Sequence, residues 1–137
     1  MKRIVLIVLS CLLLSCSKNE TTFTLILGEW AFVDGIVQLD SGETARYIGA
    51  ELMRFEKDGT LYENYPLASG ASWPSRIVYR YRFTDGGRVI DCREVGDDKT
   101  KENHKYYYIE KVSAEELVLL QDIVDIGRCT LNYQKVQ

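Results

Sequence analysis

From Phe23 onward, apolar and polar residues alternate with a period of two, the repeat of a strand with one face buried. In "MRFEKDGTLYENY", Met53 and Phe55 alternate with Arg54 and Glu56, and Asp58-Gly59 then supplies a tight hairpin turn. "IVYRYRFTDGGRVIDCREV" repeats the arrangement. Ile77, Tyr79, Tyr81 and Phe83 face one way, Val78, Arg80, Arg82 and Thr84 the other, and "DGG" turns the chain. Further strands are predicted at about Glu29 to Val37, His104 to Val112, Leu117 to Gln121 and Arg128 to Gln134, separated by "GDDKTKEN", "SAEE" and "DIVDIG". That makes eight short strands, and no segment after Phe23 has the pattern of a long amphipathic helix. The predicted fold is all-β: an eight-stranded antiparallel up-and-down barrel, with a β-sandwich as the alternative. Thr24 to Leu27 is expected to form an irregular or 3₁₀ turn that plugs one end of the barrel.

The first residues follow a different rule. Lys2 and Arg3 precede an apolar run from Ile4 to Leu14, well short of the ~20 residues of a spanning helix, which is the pattern of an export leader. The junction "LLSC", Leu13 to Cys16, resembles the bacterial lipobox, in which the cysteine becomes the lipidated N-terminus of the mature protein. Cys11 follows "VLS" and mimics the same pattern, but cleavage there would leave "LLL" in the mature chain. The expected organisation is therefore a signal peptide over residues 1–15, lipidated Cys16 and a polar tether over 16–22, and one barrel domain over 23–137. The competing readings are an ordinary secretory signal or a buried apolar strand. Serine after the cysteine, as in similar lipoproteins, implies the outer membrane and leaves the face unresolved.

Composition narrows the partners. Removal of Lys2 and Arg3 with the leader takes the formal net charge from -3 to -5, and no basic run follows, which argues against nucleic acid. His104 is the single histidine, so neither a Ser-His-Asp arrangement nor a multi-histidine metal site has its parts, and His104 is read as a solvated residue beside a charged turn. Glu94, Asp97, Asp98 and Glu102 lack the spacing and fixed glycine of a calcium loop. No enzymatic activity, metal or cofactor is expected. Cys92 and Cys129 are placed on core-facing positions of strands too far apart in a meander to pair, so both are expected as free thiols.

"LGEW", Leu27 to Trp30, resembles the G-x-W that opens the first strand of lipocalins. With "MRFEKDGTLYEN" and "YYYIEKVSAEELVLL" in the same order, the chain is similar to small lipocalin-like lipoproteins of Bacteroidota over nearly its whole mature length. The "TDGG" at Thr84 lies in the wrong hairpin for the second lipocalin motif. In that comparison Arg128 takes the place of the arginine that stacks on the opening tryptophan. The resemblance implies a lipid-anchored envelope protein that binds a small hydrophobic or amphipathic molecule. The alternative is a barrel filled by its own side chains that docks a protein partner or serves an outer-membrane complex.

The nine tyrosines carry the candidate binding site. Tyr79, Tyr81, Tyr106 and Tyr108 are assigned to the interior, where amphipathic rings suit a ligand with an apolar body and a polar head. Trp30 is expected to seal its own end, with the short "KDG" and "DGG" turns. The long connections, including Pro66 to Ser75 with Trp73, then border the mouth. The expected ligand contacts are Trp73, Tyr79, Tyr81 and Tyr108.

Overall fold

The computed structural model describes residues 22–66, 75–96 and 104–137. A single helical turn, α1 (residues 22–26), precedes nine strands. These are β1 (Gly28–Leu39), β2 (Thr44–Arg46), β3 (Leu52–Phe55), β4 (Thr60–Asn64), β5 (Arg76–Thr84), β6 (Val89–Glu94), β7 (His104–Val112), β8 (Glu116–Ile123) and β9 (Gly127–Lys135). Strands β1 and β3 to β9 pair in chain order, all antiparallel, and β1 closes on β9 from Trp30↔Lys135 to Leu39↔Gly127. This is the predicted closed up-and-down barrel of eight strands. The additional strand, β2, pairs with the far half of β1 through Ile36↔Arg46 and Gln38↔Thr44. All three β2 residues are exposed, so no apolar alternation marks it in the sequence.

Period-two alternation decides what fills the barrel. The interior takes Met53 and Phe55 from β3, Leu61 from β4, Tyr79 and Tyr81 from β5, Ile90 and Cys92 from β6, Leu117 and Leu119 from β8, and Cys129, Leu131 and Tyr133 from β9. Each fully buried aliphatic or aromatic side chain contributes on the order of 1.5 to 3 kcal/mol. Two register shifts interrupt the alternation, between Phe32 and Asp34 in β1 and between Ile109 and Lys111 in β7. The second corrects the expected facing of the tyrosine run. Counting back from Val112 without the bulge puts Tyr106 and Tyr108 inside, whereas both are exposed and Tyr107 is buried. Cys92 and Cys129 are both free and buried, as expected.

One end of the barrel is closed by α1. Phe23 packs edge-on against Phe83 with ring centroids 5.7 Å apart, and Ile26 is fully buried. Trp30, also fully buried, donates its indole N–H to the carbonyl of Ile26 at 2.8 Å. A five-residue helix is marginal alone, so its burial, not its propensity, holds this turn in helical form where a 3₁₀ or irregular turn was expected. The tight turns fall at this same floor: Gly59 has φ +90° in the β3–β4 turn, and the β5–β6 turn runs through Asp85–Gly87. Three of the four connections at the opposite end are the longer ones, 40–51, 65–75 and 95–103. The cation over Trp30 is not Arg128, as the resemblance implied, but Lys135, whose Nζ lies 4.5 Å from the indole centroid and also donates to the carbonyl of Leu27. Arg128 sits on the outer face at the other end of β9, paired with Asp122 at 2.7 Å.

Candidate functional site

The same alternation that buries Leu61 carries Glu63 inward from β4, and in β7 it turns Lys105 and Tyr107 inward around the outward-facing Tyr106. Glu63 is fully buried. Lys105 Nζ reaches both of its oxygens, at 2.7 and 2.5 Å. Tyr107 donates its hydroxyl to Glu63 Oε1 and accepts from Lys105 Nζ at 2.6 Å, while the Tyr65 hydroxyl donates to Oε2 at 3.0 Å. Lys105 Nζ also stands 4.4 Å from the ring centroid of Tyr79 and 4.7 Å from that of Tyr107, a cation held against two aromatic faces.

Burial raises the hydroxyl pKa of Tyr65, Tyr79, Tyr107 and Tyr133, and the negative charge of Glu63 raises each further. All four therefore remain protonated donors at any physiological pH. Four contacts fill the lone-pair sites of the Glu63 carboxylate. The Tyr133 hydroxyl is different: it is buried and has no hydrogen-bond partner among the described residues. A Cβ built on Gly49 would lie 2.8 Å from it, so the glycine is what leaves room for this hydroxyl. A buried, unpaired hydroxyl costs about 1 to 3 kcal/mol, and a polar ligand group or an ordered water satisfies it.

The expected ligand contacts are distributed unevenly. Tyr79 joins the Glu63–Lys105 cluster. Tyr81 is buried but belongs to the floor, where its hydroxyl donates to the Glu56 carbonyl at 2.6 Å, its ring meets Phe55 at 5.2 Å, and burial pushes its pKa up to about 12. Tyr108 is on the outer face, with the Arg128 guanidinium 5.9 Å from its ring centroid. Trp73 and Cys16 lie outside the described residues. His104 is not a free solvated residue, because its Nε2 contacts the Asp91 carboxylate and its ring lies 4.6 Å from that of Tyr106. Alternation places Tyr133 on the core side with Leu131, where it is buried, but the sequence reading missed Glu63, Lys105, Tyr65 and Tyr107. For Glu63 the available signal was a charge two residues after Leu61, at an inward-parity position of "TLYENY"; Lys105 offered none, because the count back from Val112 turns it outward until the bulge is known. Among the described residues, no group of three or more His, Cys, Asp or Glu side chains is arranged to hold a metal ion.

No protein-family model matches the chain, and no curated protein matches it. Among solved structures, a redesigned β-barrel is similar at 13% identity and a TM-score of 0.49, over 85% of this chain and 96% of that one. The barrel assignment rests on the closed strand order itself.

Proposed function

We propose that this protein is a lipid-anchored lipoprotein of the bacterial outer membrane whose lipocalin-like barrel binds a small amphipathic molecule. The observation that carries the proposal is the Tyr133 hydroxyl, buried without a partner among the described residues, in an interior that also holds the Glu63–Lys105–tyrosine cluster. A buried ion pair contributes little stability over well-packed apolar residues, and its best-attested use is specificity. The floor half of the barrel is occupied by Trp30, Met53, Phe55 and Leu61. The ligand's polar head is therefore assigned to the tyrosine hydroxyls, and its apolar body to the end opposite α1. The "LLSC" junction at Cys16 supports the anchor. The alternative, a filled barrel that docks a protein partner, is favoured by the extent of that packed floor.

Titration with a fluorescent alkyl carboxylate tests the binding reading. Saturable binding is expected, weakened about fivefold to tenfold by Tyr133→Phe, which removes one hydroxyl worth about 1 kcal/mol and keeps the ring. Absence of binding, or equal binding by Tyr133→Phe, selects the filled barrel. Membrane fractionation of Cys16→Ala tests the anchor separately, with loss from the membrane fraction expected.

A further inference from the structure

The chain has no basic run, yet the fold assembles one on its outer surface. The sheet register aligns Thr60, Arg80, Arg93 and His104 in one row across β4 to β7, since Thr60 pairs with Arg80, Arg80 with Arg93, and Arg93 with His104. The neighbouring row on the same face holds Arg82, Asp91 and Tyr106, again in direct register. Asp91 is nearly fully buried, and both of its oxygens are used: Oδ2 accepts from Arg82 Nε at 3.1 Å, and Oδ1 contacts His104 Nε2. That leaves Arg80 and Arg93 directly opposed, both exposed, and neither guanidinium has an ion pair or hydrogen bond among the described residues.

Like charges directly opposite on a sheet repel, with Cβ atoms only about 4.5 to 5.5 Å apart. The repulsion is conspicuous in a chain whose formal charge is negative. Arg80, Arg82, Asp91 and Arg93, with Tyr81, line a surface depression of about 200 Å³, and three guanidiniums there face a single carboxylate. Guanidinium forks match the paired oxygens of a phosphate or sulfate, and an oxyanion between two of them turns repulsion into attraction.

We infer that the β5–β6 outer face is an oxyanion-binding site for a phosphate-class group, held by Arg80 and Arg93. Arg82, fixed by Asp91, forms the rim of the site. This site is separate from the barrel interior and independent of what the interior binds. Its ligand is a phosphate group, free or carried on a lipid headgroup.

The test uses the Cys16→Ala chain, which carries no acyl group, titrated at low salt with inorganic pyrophosphate. In parallel it is floated with vesicles of phosphatidylglycerol or of phosphatidylcholine. Saturable pyrophosphate binding is expected, at least tenfold weaker in Arg80→Ala and in Arg93→Ala. Arg46→Ala, which removes the same charge from exposed β2, is expected to change it less than twofold. Vesicle binding that needs phosphatidylglycerol, Arg80 and Arg93, without pyrophosphate binding, assigns the same site to a lipid phosphate. The inference is overturned if neither probe binds, or if Arg46→Ala weakens binding as much as Arg93→Ala does.

Discussion

Lys105 Nζ lies 2.5 Å from Glu63 Oε2, an ion pair joining β7 to β4 through the barrel interior. No strand pairing connects β4 to β7 directly, so the contact spans the lumen between strands three places apart in the sheet order. The carboxylate is fully buried and the lysine side chain is 17% exposed, which makes the two partners unequal in what they lose when separated.

Removing one member of this pair leaves the other charge without its partner, at a cost of about 3 to 5 kcal/mol for a buried pair. Lys105→Met should fall in that range, because it strands Glu63. Glu63→Leu should cost less, since the Lys105 ammonium retains partial access to solvent. The double variant Glu63→Leu/Lys105→Met should recover most of the loss. Urea unfolding of the four proteins checks this, and additive losses in the double variant would show that the two side chains act independently.

Asp91 gives a pH-dependent prediction. Its burial raises the carboxyl pKa, but His104 and Arg82 outweigh burial and hold it below the usual aspartate range. A depressed folded-state pKa adds stability that is present above the unfolded value of about 3.9 and lost as pH falls through the folded value. Wild type should therefore exceed Asp91→Asn by about 1.5 to 3 kcal/mol above pH ~5, the range for a charge-assisted hydrogen bond. The gap should narrow progressively below pH ~4. A gap that stays constant down to pH ~2 would mean that Asp91 acts through packing and not through its charge.

Burial pushes the Cys92 thiol up to about 12 and raises that of Cys129 as well. The thiolate is the reactive form, so neither residue should react with a thiol reagent at pH 8 in the folded protein. Both should react once the unreduced protein is denatured. Recovery of neither thiol after denaturation would reveal a disulfide between β6 and β9, which the strand order places three positions apart in the sheet.

The sequence disclosed the barrel because its strands bury one face, and Met53, Phe55, Tyr79, Tyr81, Ile90 and Leu131 all fall where alternation puts them. It concealed β2 because none of Thr44, Ala45 and Arg46 is buried. It misplaced Tyr106 and Tyr108 because three consecutive tyrosines carry no parity of their own, and the bulge before Lys111 breaks the count from Val112. The polar cluster was hidden for a related reason. Glu63 and Lys105 look like solvated strand residues until the sheet closes and shows that both point inward. The Arg80–Arg93 opposition likewise depends on register, which alternation does not fix.

Native mass spectrometry of the full-length protein, purified folded and without denaturant, tests the central claim most directly. A folded barrel carrying one small molecule of constant mass, released on denaturation and depleted in Tyr133→Phe, is the predicted result. A folded wild-type protein that carries no such molecule would contradict it.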